Sequence, residues 1–173
     1  MGDATLNPTR LDTAFAVAAS PTFVASVVLL IANDHWLKGR YPGLVTGKAS
    51  DAAALILASL VVALVVVVAP VVSARRVLPW LPVLAPIAPV GLFVALQIDP
   101  TADAWFEHAT GGLIDAAGWV ADRFGVSVQL GRSVNTRDVT DLVMVPAVLV
   151  ASFEIHRVVS ANPSAPSSSR SEN

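Results

Sequence analysis

The sequence predicts an all-α polytopic membrane protein with four transmembrane helices and one amphipathic interfacial helix. Three observations lead there. Hydrophobic residues make up 54% of the 173 positions and charged residues 14%, against about 25% charged in an ordinary soluble domain. Mean hydropathy is +0.66. Four apolar stretches approach the roughly 20 residues that cross a bilayer core of about 30 Å. So few charges leave a soluble surface uncovered, which makes the bilayer the solvent that suits this chain. A net charge of -2 without a basic stripe argues against nucleic acid as a partner. The absence of cysteine excludes disulfides, thiolate metal sites and a Cys nucleophile.

Residues 1–12 form a short N-terminal segment, and residues 13–159 the transmembrane domain. The first span, at about 13–32, holds no charge. A cleaved signal peptide would want a basic start and a short apolar run. Here Asp3 and Asp12 offset Arg10, and the run continues past Ala18-Ala19-Ser20, so a retained span is expected. The second span, about 52–72, is almost pure Ala, Leu, Ile and Val. A helix apolar all round lies deep in a large core or in lipid, and a chain this short has little protein to bury it. Proline occurs in every span, including Pro21, Pro70 and Pro146. Membranes tolerate this because neighbouring helices and water satisfy the freed carbonyls. The third span, about 78–98, carries Pro79, Pro82, Pro86 and Pro89, whose spacing puts them on one face. The first two belong in the opening turn, where a missing N–H does no harm. Pro86 and Pro89 should kink the span.

The interfacial helix is expected at about 102–124. Phe106, Ala109, Leu113, Ala117, Val120 and Phe124 recur at steps of three and four, with Asp103, Glu107, Asp115, Asp122 and Arg123 on other faces. Trp105 and Trp119 suit the headgroup level. Gly111-Gly112 is expected to divide this helix, and Gly125 to end it. Residues 126–130 then alternate like a short extended segment. The fourth span, about 142–159, ends among Glu154, His156 and Arg157. From 160 to 173 the chain is rich in Ser, Pro and Asn and should be a disordered tail. Arg75-Arg76 in the tight turn after the second span favours cytoplasmic termini.

Polar residues gather where the spans meet their longer connections. The first span exits into Asn33-Asp34-His35-Trp36-Leu37-Lys38, and Thr46-Gly47-Lys48-Ala49-Ser50-Asp51 leads into the second. The third exits at Asp99-Pro100, and Thr136-Arg137-Asp138-Val139-Thr140-Asp141 leads into the fourth. Alternating direction puts all four ends at one membrane face. The candidate ligand-binding residues are Asn33, Asp34, His35, Lys38, Thr46, Lys48, Ser50, Asp51, Arg137, Asp138 and Asp141, with Arg132 nearby. Helix capping is the plainer explanation of several. Ser50 and Thr140 read as N-caps, and Asp51 and Asp141 suit the positive end of a helix dipole. Capping does not explain an acid at a helix exit, where the dipole disfavours it. The two hairpins also look alike: Lys48 precedes Ser50-Asp51 as Arg137 precedes Thr140-Asp141, and Ile31-Ala32-Asn33-Asp34 parallels Leu96-Gln97-Ile98-Asp99. This is the pattern of a parallel repeat.

Other motifs fail on chemistry. The stretch from Gly43 to Ala49 is one residue short of a phosphate loop and has Ala where Ser or Thr must bind magnesium. Glu107-His108 beside Asp103 reads as a solvated face rather than a metal site, and no cofactor motif stands out. A Ser50–His35–Asp triad lacks a GxSxG elbow. If the chain is an enzyme, His35 or an Asp is the general base, since His titrates nearest neutrality. Glu154 lies thirteen residues beyond Asp141, about 20 Å along a helix, in the far half of the bilayer. Arg157, Arg75 and Arg76 are its candidate partners.

On Asn33-Asp34-His35-Trp36-Leu37-Lys38, Thr46-Gly47-Lys48-Ala49-Ser50-Asp51 and Thr140-Asp141-Leu142, the chain resembles a group of uncharacterised bacterial multi-pass membrane proteins. These carry Asn-Asp-His-x-Leu-Lys, then Thr-Gly-Lys-Leu-Ser-Asp, then Thr-Asp-Leu. Ala49 stands where Leu is usual. The resemblance implies a shared site in a bacterial inner membrane and no assigned activity. A fainter similarity is to VanZ-like membrane proteins. The expected function is binding of a polar ligand at the acidic face: a lipid headgroup, an envelope precursor or a cation. The alternatives are a small transporter or channel subunit, or a structural or assembly protein without a ligand site. Membrane lipids are the expected partners. A homo-oligomer suits four spans, but no small-xxx-small seam singles one out.

Overall fold

The computed structural model describes residues 8–41, 43–69, 77–125 and 138–161. Among these residues every regular element is helical. The expected extended segment at 126–130, Arg75, Arg76, Arg132, Arg137 and nearly all of the tail lie outside the described residues.

The first apolar stretch is two helices rather than one: α1 (Pro8–Ala18) and α2 (Pro21–Ala32). Pro21 cannot donate to the preceding turn and clashes with it, so the chain breaks at Ala19-Ser20 and restarts. Ser20 caps the restart, its Oγ accepting from Phe23 N at 3.2 Å, with Pro21 in the first helical position. The axis bends by 44° at this break. A five-residue π turn, Asn33–Leu37, follows α2 and runs on into Lys38–Arg40.

Helix α3 (Leu44–Val68) has 25 residues and begins well before the predicted start at 52. Ser50 and Asp51 therefore do not cap it. The preceding residue is Gly43, and the Thr46 hydroxyl donates back to Gly43 O at 2.8 Å and to Tyr41 O at 3.1 Å. Good helix formers at Lys48 and Ala49 carry the helix back through a stretch that polarity alone marks as a loop. Among the described residues no strand precedes Gly43, and the chain is helical from Leu44 onward, unlike a phosphate loop.

Helix α4 (Leu78–Ile98) opens with a 3-10 turn holding Pro79, continues through Leu81–Leu84, and is interrupted at Ala85-Pro86 before Ile87–Ile98. Pro79 and Pro82 sit in opening turns and Pro86 marks the interruption. Helix α5 (Pro100–Arg123) is continuous over 24 residues. Gly111-Gly112 does not divide it, since one glycine costs about 1 kcal/mol in a helix and the flanking turns outweigh that. Gly125, at φ +69, ends the segment in the left-handed conformation glycine adopts freely. Helix α6 (Val139–Ala161) is 3-10 through Val139–Ala147, around Pro146, and α-helical from Val148.

Among the described residues three helices are long and apolar enough to cross a membrane: Val45–Val68, Leu78–Ile98 and Val139–Ala161. The bent α1–α2 pair makes a fourth if it crosses as one. The described chain forms two compact units. In the first, residues 1–90 and 143–173, the core joins Val17 of α1, Leu60, Ala63 and Val67 of α3, Leu81 and Ala85 of α4, and Ala151, Ile155 and Val158 of α6. Its outer surface is apolar too, with Val24, Val28, Val65, Ile87, Leu149 and Phe153 all exposed. Exposed apolar side chains in such number suit lipid better than water. The second unit, residues 91–142, holds the end of α4, all of α5 and the first residues of α6.

Candidate functional site

Asn33 is the centre of the polar cluster in the first unit. It follows directly on α2, and its side chain is completely buried. Its Nδ2 donates to Thr46 O at 2.9 Å and to the Ser50 hydroxyl. One carboxamide thus ties the end of α2 to the first two turns of α3. Ser50, which sequence reads as a helix cap, is instead a buried hydrogen-bond partner of Asn33. The other half of the amide is not used: Asn33 Oδ1 is buried and has no hydrogen-bond partner among the described residues. An unmet buried acceptor costs about 1–3 kcal/mol, and such exceptions in native folds mark strain or function.

The backbone at this point is also irregular. Lys38 N donates to Asn33 O, which gives the five-residue step of a π turn, a form frequent at functional sites. The turn carries Asp34-His35 out of the α register, with His35, Trp36 and Lys38 exposed. Lys38, Lys48 and Asp51 each take part in a polar contact.

Asp138 and Asp141 belong to the second unit. Asp138 caps α6: its carboxylate accepts from Thr140 N at 2.9 Å and its carbonyl from Asp141 N at 2.8 Å. Thr140, read from sequence as the cap, is the capped residue. Asp138 N in turn donates to the buried Gln97 Oε1 at 2.8 Å. Sequence reasoning passes over Gln97 as a site residue, although it is one of few amides inside an apolar span. In both cases a buried carboxamide at the end of one membrane-length stretch grips backbone at the start of the following one, Asn33 as donor to α3 and Gln97 as acceptor ahead of α6. Asp99 needs no ligand to explain it, because it caps α5 by accepting from Thr101 N at 2.8 Å.

A second polar group lies within α6. Glu154 is buried, and Arg157 grips both its oxygens, Nε to Oε2 at 3.2 Å and Nη2 to Oε1. The hydroxyls of Thr22 and Ser20, at the α1–α2 break, lie near the carboxylate. Arg157 is the i+3 partner that sequence spacing offers. The two hydroxyls are not legible in advance, because a single straight first span would not present them. Among the described residues no three of His, Asp and Glu assemble as a metal site.

No protein-family model, curated protein or solved structure matches the chain. The site stands on its own geometry.

Proposed function

We propose that the chain is a four-span protein of the bacterial inner membrane, with cytoplasmic termini, whose Asn33–Ser50 polar cluster binds the headgroup of a lipid or lipid-linked precursor. The observation that carries this reading is Asn33 Oδ1, a buried acceptor without a partner among the described residues, on a π turn at the end of a membrane helix. An acceptor calls for a donor. A hydroxyl-bearing anionic headgroup supplies one, and offers its phosphate to Lys38 and Lys48. Oδ1 is buried, so a headgroup reaches it only when the side chains around it move.

Four spans are supported by how α1 and α2 track α3. Arg10 Nη1 donates to Ala69 O at 2.7 Å, just past the last residue of α3, while Asn33 holds Thr46 and Ser50 near its first. The bent pair runs antiparallel along the whole of α3. At 25 residues, α3 is about 37 Å long, more than the hydrocarbon core of about 30 Å. A pair that matches it end to end is long enough to cross with it.

The test is thermal unfolding of the purified protein in detergent, titrated with dihexanoyl-phosphatidylglycerol or dihexanoyl-phosphatidylcholine. The glycerol headgroup should raise the midpoint more than choline does. Asn33→Ala, Lys38→Gln and Lys48→Gln should each remove that increment. Equal shifts from the two lipids, or variants that keep the increment, would refute the site.

A further inference from the structure

The far end of the first unit carries a second polar feature. A groove of about 500 Å³ opens beside α1, the α1–α2 break and the last turns of α6. Asp12, Thr13, Ser20 and Arg157 give it its polar lining, and Ala16, Ala19 and Val158 part of its apolar wall.

The pair behind this groove is asymmetric. The Glu154 side chain is 7% exposed and that of Arg157 53%. A guanidinium has five N–H donors. The carboxylate takes Nε–H and one N–H of Nη2, which leaves three N–H groups on the guanidinium. Glu154 fixes the fork and cancels its charge. Asp12 then adds a negative charge of its own. A simple anion would gain the Arg157 edge but meet Asp12, and a simple cation would gain Asp12 but meet Arg157. A ligand that carries both signs on a short linker satisfies both.

At the end of a membrane helix, the chemistry with those two signs is a phosphodiester beside a primary ammonium. Arg binds phosphate through paired N–H groups in a way that Lys does not. A primary ammonium has N–H donors for the Asp12 carboxylate, whereas a quaternary one has none. We propose that this groove binds the headgroup of a zwitterionic aminophospholipid, with its phosphate on Arg157 and its ammonium on Asp12.

Native mass spectrometry of the full chain released from detergent tests this, with phosphatidylethanolamine, phosphatidylcholine and phosphatidylglycerol offered at equal concentration. Phosphatidylethanolamine adducts should exceed the other two by about fivefold, the upper range of one solvent-accessible ion pair. Asp12→Asn, on an exposed position, should erase that preference while leaving thermal unfolding unchanged. Arg157→Lys, which keeps the charge and loses the fork, should weaken all three lipids. Equal adducts of the three lipids in the native protein, or a preference that survives Asp12→Asn, would overturn the proposal. Soluble glycerophosphoethanolamine is the control for the source. Competition by it at the same concentration as the lipid would assign the groove to a free phosphodiester and overturn the lipid reading.

Discussion

Glu154 and Arg157 form one ion pair but differ in what each would face alone. Removing Arg157 leaves a buried carboxylate without a countercharge, which is far costlier than leaving a charge in solvent. Neutralising Glu154 frees a guanidinium that is already half exposed and can turn to water. Arg157→Gln should therefore lower the unfolding midpoint in detergent by a few degrees more than Glu154→Gln, and adding Glu154→Gln to Arg157→Gln should recover part of the loss. If Glu154→Gln proved the more damaging single change, the carboxylate would be serving Ser20 and Thr22 rather than Arg157. The pairing itself is legible in sequence, since residues three apart on a helix are neighbours. Asn33 is legible only in part. Its place among polar residues marks it as a candidate, but its grip on Ser50 is hidden because Ser50 before an apolar run has the pattern of a cap.

Helix boundaries show the same limit one level up. Polarity marks where a span leaves the apolar core, not where its hydrogen bonding begins. So α3 starts at Leu44 although its apolar run starts near 52, and the capping residue ahead of α6 is Asp138 rather than Thr140. Proline carries clearer information. Pro21 splits the first stretch, Pro86 interrupts α4, and Pro146 lies in the 3-10 part of α6, each by removing a donor and crowding the preceding turn. The amphipathic helix was the most readable element, because its period of three and four extends over six turns. Asp99 is the feature there to which sequence gives no role beyond marking the exit of the third span, whereas it caps α5. Asp99→Ala should cost α5 about 1 kcal/mol, which hydrogen exchange would read as about fivefold faster exchange at the amides of Thr101, Ala102 and Asp103. Asp99→Asn should leave those amides nearly as protected, since an amide oxygen also caps. Equal loss in both variants would show that the carboxylate holds something other than Thr101 N.

At the scale of the molecule, composition alone points to the bilayer, and three of the four apolar stretches become helices long enough to cross it. What composition leaves open is the first stretch, because a 44° bend is compatible with a broken span or with a short helix lying at the surface. The contacts at both ends of α3 favour the span, and labelling can decide between them. The chain has no cysteine, so single cysteines at Thr5, Gly39, Ser73 and Ser133 can be probed one at a time with an impermeant thiol reagent on intact cells. Gly39 is exposed with open space at its Cβ position. Gly39 and Ser133 should react alike, and Ser73 oppositely, whether the chain spans three or four times, because α3 and α4 cross in either case. Thr5 is the residue that discriminates. Four spans put it with Ser73, on the side opposite Gly39, and three put it with Gly39. With cytoplasmic termini, Gly39 and Ser133 label in intact cells while Thr5 and Ser73 react only after lysis. Labelling of Thr5 together with Gly39 would place α1 and α2 on one side of the bilayer, and Arg10 and Asn33 could not then hold opposite ends of a crossing α3.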